Sequence, residues 1–146
     1  MPSAERDVTI ARPVTEVFAF VADGLNAPKW RPGVLDISLV SGSGLGAVYK
    51  QGVKGPGGRR IDADYRITAH EPNRRLSFEA IAGPVRPIGQ FAFDDVNGAT
   101  HVRFALQAEL GGIKKLVMGG AVQRTMDAEV AALERLKHLL EASEAG

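Results

Sequence analysis

Cysteine is absent from the 146 residues of this chain. Its absence excludes disulfide staples, thiolate nucleophiles and cysteine metal sites, and fits a reducing compartment. An excess of charge of either sign is also missing. Lys and Arg number 18 against 17 Asp and Glu, a formal net charge of +1. A nucleic-acid partner is therefore not expected, since duplex binders carry a basic face. No apolar run approaches the ~20 residues that span a bilayer. The opening MPSAERD is polar and partly acidic, unlike a secretion signal. These absences lead to the expectation of a soluble, cytoplasmic protein without a transmembrane segment. Signature motifs are scarce too. There is no HExxH, Asp-rich calcium loop or metal-spaced histidine pair, and no GxSxG elbow. The glycines at 55–58 lack the Gly-Lys-Ser/Thr ending of a phosphate-binding loop. Neither a metal nor a cofactor is expected, and no repeat is visible.

What is present has the size of one domain, residues 1–146. A chain of this length buries ~68–70% of its unfolded surface and needs no metal or disulfide. A short strand over 7–11 leads into Arg12-Pro13. A helix follows, its apolar stripe made by Val14, Val17, Phe18 and Val21. Pro13 suits its first position, where a missing N–H costs nothing. The helix stops at Asp23-Gly24. A second short turn, with Asn26 as its expected cap, ends in Trp30, the only tryptophan. Strands are expected at 34–40 and 47–53, separated by the SGSGLG turn at 41–46.

The next strands are better specified. Ile61, Ala63, Tyr65 and Ile67 alternate with polar residues over 61–68, the period of a half-buried strand. A turn at Pro72-Asn73 sets Arg66 opposite Glu79 and Ile67 opposite Phe78. Asn97-Gly98 is a strong hairpin signal because both residues tolerate positive φ. Folding there sets Phe91 opposite Phe104, Phe93 opposite Val102 and Asp94 opposite His101. A one-residue slip would turn the phenylalanines to solvent. From about Gly112 to Ser143 the period becomes helical, with Leu116, Met126, Val130, Leu133, Leu136, Leu139 and Leu140 recurring at three- and four-residue steps. Gly119-Gly120 weakens that helix by ~1 kcal/mol per glycine. It marks a kink, a later helix start, or room for a ligand.

Several of these segments resemble the SRPBCC superfamily, also called START-like or Bet v1-like, and within it the polyketide cyclase/dehydrase group of small bacterial proteins. The matching stretches are Arg12-Pro13-Val14-Thr15-Glu16-Val17-Phe18, Asn26-Ala27-Pro28-Lys29-Trp30, Tyr65-Arg66-Ile67-Thr68 with Glu71-Pro72-Asn73-Arg74-Arg75-Leu76, and Leu133-Glu134-Arg135-Leu136-Lys137. They run nearly the full length, and none is a catalytic signature. The resemblance implies an α+β helix-grip fold. A curved antiparallel sheet of about seven strands wraps a long C-terminal helix, with two short helices after strand one. It also implies a cavity for lipids, sterols, polyketides or other apolar molecules. Some relatives catalyse ring closure or dehydration; others carry or sense.

Parity places Tyr49, Gln51, Tyr65, Phe78, Phe91, Phe93 and Phe104 on the inner face of the sheet, with Met118, Met126 and Val130 offered by the long helix. Trp30 is either a lid or a packing anchor. Buried Tyr49, Gln51 and Tyr65 would need hydrogen-bond partners, from each other, from water or from a ligand. Tyr65 is the foremost candidate for a ligand contact or weak general acid. His70, His101 and His138 are expected on the surface. Asp62 and Asp64 share an outward face, which argues against a paired-carboxylate site. Lys54, Arg59, Arg60, Lys114 and Lys115 are candidates for a basic rim that steers an anionic head group. The expected function is the binding of a small, mostly apolar ligand by a monomer or homodimer. The alternatives are a cyclase- or dehydratase-like enzyme and an interaction protein that docks a partner through a sheet edge or helix end.

Overall fold

The computed structural model describes residues 3–83, 85–108 and 112–142, with the backbone alone for 56 and 112–119. Strand β1 (Ser3–Ile10) is followed by α1 (Val14–Ala22), a single 3-10 turn (Gly24–Asn26) and the short α2 (Ala27–Trp30). Then come β2 (Val34–Ser41), β3 (Val48–Lys54), β4 (Arg60–Asp62), β5 (Tyr65–Glu71), β6 (Arg75–Ala80), β7 (Ile88–Val96) and β8 (Ala99–Gln107). Two helices close the order, α3 (Gly112–Ala131) and α4 (Leu133–Ala142). The strands form one antiparallel sheet in the order β1-β8-β7-β6-β5-β3-β2, with β4 beside β3. No helix among the described residues is long and apolar enough to cross a membrane.

The expected alternation holds. Arg66 faces Glu79 and Ile67 faces Phe78. Phe91 faces Phe104, Phe93 faces Val102 and Asp94 faces His101. The strand expected over 61–68 is divided in two at Ala63-Asp64, so the sheet has eight strands. The Asp64 carboxylate accepts from the Gln51 backbone N–H at 3.1 Å, in the place of a ladder carbonyl. The register is untouched: Gly52 pairs with Asp62 before the break and Tyr49 with Tyr65 after it. The side chains flanking the break therefore stay on the face that parity assigned, while a bulge between Ile67 and Ala69 shifts the later pairing of β5 with β6.

The helix ends differ in detail from the sequence reading. Pro13 sits one residue outside α1, as its cap. Asn26 caps nothing with its side chain, which donates to the Phe20 carbonyl instead. Asp23 supplies the cap of the 3-10 turn by accepting from the Leu25 N–H. Helix α3 starts at Gly112 and runs through Gly119-Gly120. The interruption falls at Ala132, where a tight Ala132 N–H to Glu129 bond ends α3. Leu133 and Leu136 then enter the core fully buried. At the far end Glu141 accepts from the Ala11 N–H at 2.8 Å and from Lys137 at 2.8 Å, tying α4 to the end of β1.

Leu136→Ala should lower the free energy of unfolding by about 2–5 kcal/mol, because its cavity lies between helix and sheet and cannot collapse freely. Urea denaturation checks it.

Candidate ligand-binding site

The concave face carries a continuous aromatic chain. Tyr49 stacks on Tyr65 at 5.1 Å between ring centroids, and Tyr65 meets Phe78 at 5.5 Å. Phe78 reaches Phe91 and Phe104, which stack on each other at 4.1 Å. Trp30 stands edge-on to both, at 6.1 and 6.5 Å. Phe93 extends the chain to Phe18. Met126 and Val130 cover it from α3, with Val122 one turn earlier on the same stripe. Of the expected lining residues, Trp30, Tyr49, Gln51, Tyr65, Phe91, Phe93, Phe104, Met126 and Val130 are buried. Phe78 is half-buried, and the side chain of Met118 lies outside the described residues. At 3% exposure and edge-on to two rings, Trp30 is an anchor.

The hollows found among the described residues lie elsewhere. One, of about 310 Å³, opens between β6, β7 and β8 beside Ser77, Ile88 and Gln90. The other, of about 490 Å³, opens between α1, α2 and α4 beside Phe20, Lys29 and Leu139. None of the expected lining residues borders either one. Along the described part of the concave face the rings pack against one another.

A polar strip runs along the β3–β5 side of the aromatic chain. Gln51 donates to the Ala63 carbonyl at 3.1 Å and accepts from Arg31 Nη1 at 3.2 Å. Arg31 Nε donates to Glu129 at 2.7 Å, an ion pair whose side chains are 16% and 17% exposed. It joins the end of α2 to α3. The Tyr49 hydroxyl accepts from the Gly24 N–H at 3.2 Å. Gly24 must be glycine here: a Cβ would sit 2.6 Å from the Tyr65 hydroxyl oxygen and 2.7 Å from the Tyr49 ring. Sequence reasoning missed the Arg31–Glu129 pair, whose members are 98 positions apart. The only hint is that Glu129 lies directly beside Val130 on the apolar stripe.

Tyr65 is 8% exposed, and its hydroxyl makes no hydrogen bond among the described residues. No polar side-chain atom sealed from solvent among these residues lacks a partner, so this hydroxyl opens onto accessible space. Burial pushes its pKa well above the ordinary tyrosine range. The charge of Arg31 opposes that rise, while Tyr49 and Asp23 add to it. At neutral pH the group is a proton donor and not a base.

Other candidates fall away from this strip. His70 is half-buried, not on the surface, because its ring packs edge-on to Phe18 at 5.3 Å. His101 hydrogen-bonds to Asp7 at 2.7 Å, and His138 is exposed. Asp62 pairs with Arg60, and Asp64 serves the β3 backbone. Of the expected basic rim, Arg60 is held by Asp36 and Asp62, Lys54 and Arg59 are exposed, and the side chains of Lys114 and Lys115 lie outside the described residues. No group of three or more metal-ligating side chains is assembled among the described residues.

A family model described as polyketide cyclase/dehydrase and lipid transport matches residues 1–141. The chain belongs to this family. The fold has the same relatives. A protein of Thermus thermophilus superposes with a TM-score of 0.82 at 18% identity, over 97% of this chain and 99% of that one. The Zhui aromatase/cyclase of Streptomyces sp. R1128 gives 0.71 at 16% identity, over 97% and 96%. A START superfamily protein of Mycobacterium smegmatis gives 0.71 at 14%, over 97% and 95%. No curated protein sequence matches this one. At these identities the structural likeness speaks for the helix-grip fold alone. The family, through its description, speaks for hydrophobic-ligand or polyketide cyclase/dehydrase chemistry.

For this member of the family a pH test follows from Tyr65. Its folded-state pKa is raised above the unfolded value of 10.0, so its contribution to stability is complete below pH 10.0 and lost above it, as the unfolded chain ionises first. Thermal melts from pH 8.5 to 11 should show a steeper loss above pH 10 in the native protein than in Tyr65→Phe.

Proposed function

We propose that residues 1–146 form a domain that binds a small, mostly apolar molecule, lipid-, polyketide- or aromatic-like, against the concave aromatic face under the C-terminal helices. The observation that carries this reading is the Tyr65 hydroxyl: a donor without a partner among the described residues, open to accessible space, on a wall of rings. Pockets for small molecules combine such apolar walls with a few polar groups that fix orientation. Tyr49 and Gln51 are already satisfied within the protein and act as framing for Tyr65. Phe78, half-buried beside Tyr65, is the ring with most freedom to make room. The remaining aromatic residues with Met126 and Val130 form the apolar wall.

The second reading, a cyclase- or dehydratase-like enzyme, is favoured by the same group. A tyrosine kept protonated at neutral pH can give a proton to a developing alkoxide or leaving hydroxyl. The two readings separate on one substitution. In a carrier, Tyr65→Phe removes one hydrogen bond, worth about 0.5–1.5 kcal/mol, so affinity drops roughly three- to tenfold. In an enzyme it lowers turnover by about 10²–10⁴-fold while binding is retained.

Native mass spectrometry of freshly purified protein tests the reading, with Trp30 fluorescence as its companion. As the sole tryptophan, packed on Phe91 and Phe104, Trp30 reports any molecule that enters. A co-purified apolar molecule, with a changed Trp30 emission once it is removed, is the expected result. Unchanged emission and melting temperature across fatty acids, ketones and aromatic polyketide mimics would refute it.

A further inference from the structure

Several polar groups of this strip keep donor capacity with no partner among the described residues, and two of them lie together. One is the Tyr65 hydroxyl. The other is the Arg31 guanidinium, whose Nε is taken by Glu129 and whose Nη1 is taken by Gln51. Gln51, which Arg31 bonds, lies two residues from Tyr49 on the same face of β3, and Tyr49 pairs with and stacks on Tyr65. Nη2 takes part in neither bond. Arg31 is not a free cation, however. Glu129 holds it at 2.7 Å in a partly buried ion pair, and Gln51 presents its oxygen, not its amide nitrogen, to the same group. The strip thus offers hydrogen-bond donors with no net positive charge behind them. The other ionisable groups facing it are Tyr49 and Asp23, and neither adds a positive charge.

We infer that the Arg31–Glu129 pair selects the charge of the ligand, so that the site takes an uncharged oxygen acceptor, a ketone, ester or amide carbonyl, in preference to a carboxylate. This rests on the binding proposed above. The physical argument compares what each ligand loses and gains. A neutral carbonyl gives up weak hydration and receives donors already aimed at it. A carboxylate gives up strong hydration and finds Arg31, the nearby cation among the described residues, already neutralised, with the Glu129 carboxylate beside it. Like charge at close range in a low-dielectric site discriminates against the anion. Glu129 is then a specificity-determining residue that never touches the ligand. The basic rim expected from sequence would have favoured the opposite class, an anionic head group. Its one described arginine of known contacts, Arg60, is consumed by Asp36 and Asp62.

The experiment uses matched probes that differ only in the head group, measured by titration calorimetry at pH 8: 2-undecanone against undecanoate, and 2-acetylnaphthalene against 2-naphthoate. In the native chain the ketone of at least one pair should bind about tenfold or more tightly than its carboxylate, a difference of the size one well-placed polar contact gives. Glu129→Gln frees the Arg31 charge and should reverse the order within the pair. Arg31→Gln leaves Glu129 unopposed and should widen the ketone preference, which keeps the test intact if Glu129→Gln does not fold. A carboxylate that binds the native chain as tightly as its ketone overturns the inference and leaves the binding reading standing. So does a ratio unmoved by either substitution. Failure of all four probes to bind overturns the binding reading, and the inference with it.

Discussion

Asn97 and Gly98 both hold positive φ, 53° and 88°, and that tight turn fixes how β7 lies on β8. Phe91 stacks on Phe104 at 4.1 Å only because this register puts them opposite one another. Trp30 then finds two ring edges to pack on, and α2 is anchored over the sheet. Phe78 lies across the neighbouring strand, over Gly89, where a Cβ would overlap its ring and crowd Leu106. A slip of one residue would send Phe91 and Phe93 to solvent together and leave Trp30 without a seat. The placement of the aromatic wall is thus decided by one pair of turn residues, and the helices follow.

The polar strip depends on a second local event, the break between β4 and β5. By taking the Gln51 N–H, the Asp64 carboxylate lets the ladder lapse at Ala63-Asp64 without shifting register. Gln51 gains the Ala63 carbonyl as a partner for its side-chain nitrogen, which fixes which end of the amide faces Arg31. Arg31 in turn meets Glu129. A partly buried ion pair of this kind contributes little net stability against a well-packed apolar alternative. Its presence where the residue that ends α2 meets α3 is better explained by what it presents to the concave face than by what it adds to folding.

Parity made most of this legible from sequence. Inward placement of Tyr49, Gln51, Tyr65, Phe91, Phe93 and Phe104 needs only a period of two and one correct turn, and each lies where that period puts it. The helical stripe located Met126 and Val130 by the same logic. Periodicity carries no information about pairs that meet across the fold, so Arg31 with Glu129 and His70 with Phe18 were invisible. Nor does it measure volume. Alternation fixes direction and not the distance between facing walls, so the size of the expected interior space was not legible. The break at Asp64 was hidden for another reason. It arises from a side chain that imitates a backbone acceptor, and a strand pattern treats such a residue simply as polar.

A ligand that binds against this wall is helped by any ring that yields to it. The candidates differ in how firmly they are held. Trp30, Phe91 and Phe104 brace one another from three elements and are nearly sealed. Phe78 is half-buried, and its contacts with Tyr65, Phe91 and Phe104 are tilted and loose, at 5.5–6.4 Å. Its support on β7 is the bare backbone of Gly89, which offers no side chain to lock it. Phe78 is also the ring that lies against Tyr65, whose hydroxyl has no hydrogen-bond partner among the described residues. Entry at that point would bring an apolar molecule against Tyr65 first, with the Arg31–Glu129 pair behind it to judge its charge.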